Sequence, residues 1–271
     1  MDVTDIFDTR VGLEKYGEAA VETLYMVGIS LLVGTLLGAA LGVILVLNRP
    51  SGLRPIRWLY EVVNFVVNTV RSLPFIILMV AILPFTRVIV GSSIGTTAAL
   101  VPLTIFIAPF MARLIEQSVL DVDSGILKTA ESMGATTWQT IRYFLLPEAK
   151  AGIILALTTS TITLISATAM AGTIGGGGVG DLAISYGYQQ FDTIAIIITV
   201  IILIVVVQLI QAFGTWWARR ARNDYLIQIG STFFKIFEPE WNRLNLGCVG
   251  TSEAPMMEAE EIAKRRTNEL I

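Results

Sequence analysis

The chain has 271 residues, 54% of them hydrophobic, a mean hydropathy of +0.70 and a net charge of −3. This composition excludes an ordinary soluble domain, and the weak negative charge offers no footprint for nucleic acid, so no nucleic-acid partner is expected. One cysteine, Cys248, and no histidine exclude an intrachain disulfide, argue against a zinc or haem site, and remove any proton shuttle built on histidine.

Residues 1–22 carry Asp2, Asp5, Asp8, Glu14, Glu18 and Glu22 against Arg10 and Lys15. That is not the basic start of a secretory signal, so the first apolar run is expected to stay as a membrane helix behind a short external segment. Five spans are expected, at roughly 23–47, 60–84, 94–115, 150–171 and 193–217, each near the length of about 20 apolar residues that crosses a bilayer. The fold class is therefore an all-α polytopic membrane protein. Basic residues set the orientation. Arg49, Arg54 and Arg57 fall in the first loop, Arg113, Lys128, Arg142 and Lys150 in or beside the third, and Arg219, Arg220 and Arg222 after the fifth span. The positive-inside rule then places these loops and the C-terminus in the cytoplasm and the N-terminus outside.

In the first span Gly34, Gly38 and Gly42 repeat every four residues, with Ser30 a step earlier. Such a stripe admits a second helix, either within the subunit or at a subunit interface. The second span holds Asn64, Asn68 and Arg71 on one face, then Ser72-Leu73-Pro74. Pro74 kinks a helix or starts one. Arg71 is either deep, facing a cavity or partner, or an anchor at the end of an interfacial helix over 56–70. Pro102 and Pro109 are expected to bend the third span. In the fourth, Thr159, Thr163 and Ser166 either line a polar path or bond their own helix backbone. Asn68, Arg71, Ser72, Thr159, Thr163 and Ser166 are the candidate lining of a translocation path.

Between spans three and four lies ILKTAESMGATTWQTIRYFLLP, Ile126 to Pro147, a polar island in an apolar chain. It reads as two short helices. Asp123 or Ser124 caps the first and Gly134 terminates it, while Thr136 and Gln139 form a capping box for the second, which is expected to finish before Pro147. A compact helical elbow in a loop is a candidate docking element. The run Gly175-Gly176-Gly177-Gly178-Val179-Gly180 formally fits G-x-G-x-x-G, but it follows a membrane helix instead of a strand. It reads as a flexible external turn or gate lip. No phosphate-binding loop occurs, and every Asp and Glu sits in a loop, a tail or at a span edge, leaving no buried carboxylate for a coupling ion. An energy source on another subunit fits better than an ion-coupled carrier.

Gly134-Ala135 followed by Leu145-Leu146-Pro147 resembles the E-A-A-x-x-x-G-A…L-P loop of ABC-importer permeases. RSLPFIILMVAILPFTRVIVGSSIG, VPLTIFIAPFMARLIE, SMGATTWQTIRYFLLPEA and GVGDLAISYGY are similar to segments of the methionine-importer permeases, over about residues 20–220. The loop departs from the family pattern where Lys128, Thr129 and Ala130 stand in place of Glu-Ala-Ala, with Glu131 on a nearby turn as a substitute.

The resemblance implies a permease domain over 23–221 with a coupling loop at about 120–149, ahead of a cytoplasmic extension over 222–271. It implies that Lys128, Thr129, Ala130, Glu131, Gly134, Ala135, Leu146 and Pro147 meet an ATPase subunit. The implied assembly is a homodimer with two ATP-binding subunits and an external methionine-binding lipoprotein, in the bacterial inner membrane. This chain itself would be no enzyme and would hold no cofactor, ATP and Mg residing on the ATPase. The implied cargo is methionine, L- and D-, moved by alternating access. Another amino acid or a methionine derivative is the alternative. In the extension, Met256 to Leu270 reads as a charged helix with Glu260–Lys264 and Glu261–Arg265 pairs, in a solvated tail or a regulatory one.

Overall fold

The structure is a computed structural model that describes residues 11–50, 52 and 55–244, with side chains for these other than residues 13, 131 and 223–244. Residues 1–10 of the expected external segment and the expected helix Met256 to Leu270 lie outside the described residues. Among the described residues every regular element is helical. The chain divides into a unit over 1–223 and a second over 224–271, of which 224–244 is described as helix.

Helix α1 (Leu13–Asn48) starts ten residues before the expected span. Its 36 residues extend about 54 Å, well beyond an apolar layer of about 30 Å, so the turns carrying Glu14, Lys15, Glu18 and Glu22 stand clear of the hydrocarbon. Those turns are packed: Val11 and Ala19 share a buried cluster with Val179, Leu182 and Ala195.

The expected second span is broken. Helices α2 (Arg57–Ser72) and α3 (Phe75–Val90) meet at 110° across Leu73-Pro74. Proline lacks an N–H and pushes the residue before it out of the helical region, and Leu73 accordingly has ψ 130°. Helix α2 is too short and too polar to cross alone. It is amphipathic, with Trp58, Val62, Phe65 and Val66 exposed along one side.

Helix α4 (Thr96–Leu120) remains one helix through Pro102 and Pro109 and forms the centre of the core. Met26, Leu103, Ile107 and Leu164 are fully buried around it. The glycine stripe of α1 is what lets α4 approach. A Cβ on Gly38 would lie 2.7 Å from the Ala108 carbonyl oxygen and 2.7 Å from Met111 Cβ, and one on Gly34 would overlap Ile107. The stripe therefore serves packing inside the subunit.

After α4 come α5 (Ser124–Ser132), a single turn α6 (Thr137–Gln139), a π-helical stretch Thr140–Leu145, and α7 (Leu146–Gly172). The second elbow helix does not stop before Pro147. The widened π turn runs into α7, and Pro147 sits at the start of α7, where a missing N–H costs little. Then α8 (Gly178–Leu182), a second π stretch Ala183–Tyr188 and α9 (Thr193–Leu244) follow. The span 193–222 of α9 is the most apolar and least covered, with Leu209, Phe213, Trp216 and Trp217 exposed. Among the described residues four helices are long and apolar enough to cross a membrane, and the bent α2–α3 pair makes a fifth candidate.

Candidate coupling elbow and polar sites

The elbow is built by local backbone chemistry. Asp123 Oδ1 accepts the N–H of Gly125 at 2.7 Å and so caps α5. At the other end Gly134 takes φ +68°, and the Ala135 N–H reaches back to the Ala130 carbonyl at 3.0 Å. That six-to-one bond around a left-handed residue is a Schellman motif. The reciprocal capping box follows at once: the Thr136 N–H donates to Gln139 Oε1 at 2.8 Å, and the Gln139 N–H donates to Thr136 Oγ1 at 3.4 Å. Two helix ends are thus tied within a few residues, which gives a rigid corner between α5 and α6.

The residues drawn from the resemblance fall on both sides of this corner. Ala130 is fully buried and Thr129 Oγ1 donates to the Gly125 carbonyl at 2.8 Å, while Lys128, Gly134 and Leu146 are exposed and Ala135 and Pro147 half-buried. Glu131 lies in the last turn of α5. The sequence reading missed the apolar surface of the elbow: Met133, Trp138 and Tyr143 are more than half exposed. A tryptophan opening a polar helix was the available signal.

A second polar group joins α2 to α4. Arg113 Nη1 donates to Glu116 Oε2 at 2.6 Å, and Nη2 donates to Asn64 Oδ1 and, at 2.8 Å, to Asn68 Oδ1. Glu116 is only 2% exposed. This overturns the expectation that no carboxylate is buried, because α4 continues past residue 115 and folds Glu116 into the packing. Its charge is neutralised by Arg113. Arg71 lies nearby, its guanidinium carbon 5.9 Å from the centre of the Phe110 ring, and Ser72 Oγ donates to the Thr69 carbonyl at 2.8 Å.

The hydroxyls of α7 behave as the backbone-bonding reading expects. Thr163 donates to the Thr159 carbonyl at 2.8 Å and Ser166 to the Ile162 carbonyl at 3.3 Å. The two candidate path sets do not meet. Asn68 and Ser72 line an open hollow along α2, and Ser166 lines another with Met170, Thr173, Ile184 and Leu203.

At the opposite end of α4 the glycine run is held in place instead of forming a loose lip. Gly178 donates its N–H to Glu22 Oε2, Val179 to Thr23 Oγ1, and Gly95 to the Gly175 carbonyl. Gly175, Gly177 and Gly178 have φ near +80°, which only glycine adopts without strain.

The profile of binding-protein-dependent transport system inner membrane components matches residues 30–223. The chain belongs to this family. The permease is 52% identical over 199 residues to the probable D-methionine transport system permease protein MetI of Vibrio cholerae, a match spanning 73% of the permease and 88% of that relative. It is 41% identical to the corresponding protein of Pasteurella multocida, over 76% of the permease and 95% of the relative. Among solved structures it is similar to a chain of the MetNI methionine ABC transporter in an inward-facing conformation. The TM-score is 0.75 at 40% identity, covering 77% of the permease and 97% of that chain. The permease is thus a multi-pass bacterial membrane protein and a transport component.

The departure at Lys128 has less effect on the helix than its position suggests. Helix α5 begins at Ser124, so Lys128 is already in the second turn, where the macrodipole has fallen off.

Proposed function

We propose that the permease is the membrane subunit of an ATP-dependent importer of methionine. Two copies would form the pathway, and each would seat its elbow in a cleft of a separate ATPase subunit that holds ATP and Mg. An external methionine-binding lipoprotein would deliver the cargo. The elbow geometry carries this reading: a corner fixed by the Gly134 Schellman motif and the Thr136–Gln139 box, displaying Met133, Trp138 and Tyr143 to a partner. Similarity to named D-methionine permeases over most of the chain supports the cargo.

Orientation follows the charge bias. Arg142 and Lys150 flank the elbow and Arg49 follows α1 at its Asn48 end, which favours the cytoplasm for this end and the outside for the glycine turn. Closure of the ATPase pair would draw the two elbows together. Because the corner is rigid and α6 runs through the π stretch into α7, that displacement passes into a membrane helix.

The test is Gly134→Asp, assayed by co-purification of the ATPase subunit and by methionine uptake into vesicles. At φ +68° the variant strains the corner and sets a charge on the docking surface, so both readouts should fall together. Intact docking and uptake would remove the elbow assignment.

A further inference from the structure

Arg71 lies in the last turn of α2, just before the bend at Leu73-Pro74, with its guanidinium over the Phe110 ring. Phe110 precedes the last residue of α4, Leu120, by ten positions, which sets it about 15 Å from that helix end. The charged residues of α4, Arg113 and Glu116, begin only three positions after Phe110, so Arg71 lies inside the apolar layer near its elbow-side edge. A guanidinium at such depth is costly unless it faces a partner or water.

The neighbouring cation is already satisfied. Arg113 is paired with Glu116 and held by Asn64 and Asn68, and that ion pair is the only one among the described residues. No salt bridge to Arg71 occurs among the described residues, so its positive charge is left over. The Arg71 guanidinium carbon lies over the Phe110 ring at 5.9 Å from its centre, a cation–π contact that needs none of its N–H donors. The Arg71 side chain is exposed and follows the open hollow along α2, which Asn68 and Ser72 line at the Arg71 end and Glu61 about three turns away.

We propose that Arg71 is a carboxylate subsite on the path, taking the α-carboxylate of the transported amino acid in its guanidinium fork. The inference rests on the importer reading above and adds the group that holds the anionic end of the cargo. Planar bidentate recognition of a carboxylate is what arginine does and lysine does less well. The exposure of the Arg71 side chain keeps the contact transient, as passage requires.

The experiment uses the assembled complex in vesicles, with Cys248→Ser as background and Arg71→Cys as the probe. Loss of one charge-assisted carboxylate contact should lower methionine uptake about tenfold. Attaching an aminoethyl group through a methanethiosulfonate returns a cation and should restore part of the uptake, whereas the neutral methylthio adduct should not. Methionine supplied with its binding protein during labelling should slow the reaction of the cysteine. Arg71→Lys should transport better than Arg71→Gln.

The inference fails if Arg71→Cys transports like the background, if the neutral adduct restores uptake as well as the charged one, or if methionine leaves the labelling rate unchanged. The last result would also be the outcome if the cation held a lipid phosphate. Equal uptake by the lysine and glutamine variants counts against it too. A background complex that moves no methionine at all would instead sink the importer reading, before Arg71 is tested.

Discussion

Glu22 Oε2 accepts the backbone N–H of Gly178 at 2.7 Å, joining α1 to the first residue of α8 across 156 positions of sequence. The carboxylate lies where the N-terminus of α8 presents unpaired donors, and Thr23 takes the next one. Replacing Glu22 with Ala should cost about 1 kcal/mol and raise the amide exchange rate of Gly178. Glu22→Gln keeps an oxygen acceptor and should retain most of the protection. Hydrogen exchange at Gly178 that is equal in all three proteins would contradict the contact.

Close packing of α1 on α4 gives a pair of opposite substitutions. Gly38→Leu forces side-chain atoms into the Ala108 backbone and Met111 and should destabilise the purified permease by at least about 1–3 kcal/mol. Gly28 has nothing within 4 Å of a built Cβ, so Gly28→Ala should be neutral or gain up to about 1 kcal/mol in helix propensity. Thermal unfolding in detergent compares the two. Similar shifts at both positions would mean that the stripe is not a packing surface.

These features differ in how far the sequence displays them. Gly134, Thr136 with Gln139, and the Gly34-Gly38-Gly42 stripe are legible because each depends on bonds or spacings within a few residues. Pro74 marks a break for the same reason, but the 110° turn depends on what α2 and α3 pack against. The π stretch Thr140–Leu145 is invisible to a period of 3.6, since six residues with only Thr140 and Leu145 buried are too short a run to reveal a wider period. The Arg113–Glu116 pair is an i,i+3 spacing on α4, but Glu22 with Gly178, and Arg113 with Asn64 and Asn68, join elements whose pairing no local pattern encodes. The fold class is therefore carried by composition, and the polar sites by tertiary contacts.

The Arg113–Glu116 pair makes a prediction with a built-in control. Glu116 is buried, so Glu116→Ala leaves Arg113 without its counter-charge and should destabilise the permease by about 3–5 kcal/mol. The double variant Arg113→Met with Glu116→Leu removes both charges and should recover much of that loss. Thermal unfolding of the single and double variants checks it. A double variant less stable than Glu116→Ala alone would show that the Asn64 and Asn68 bonds to Arg113 outweigh the ion pair.

Lys128 offers a last test, directed at the partner surface. It is exposed in the second turn of α5, so Lys128→Glu should leave the thermal stability of the permease unchanged. On the importer reading proposed above, the ATPase that works with this chain would meet a cation at this point, unlike one matched to the glutamate of the family pattern. Reversing the charge should therefore weaken ATPase association by roughly 2–5-fold at low ionic strength, as expected for an exposed ion pair. The difference should shrink as salt is raised, because screening acts on solvent-facing charges first. Tighter association of Lys128→Glu would show instead that the cleft still presents the basic surface a glutamate requires, leaving Lys128 an unfavourable contact tolerated because Met133, Trp138 and Tyr143 hold the elbow in place.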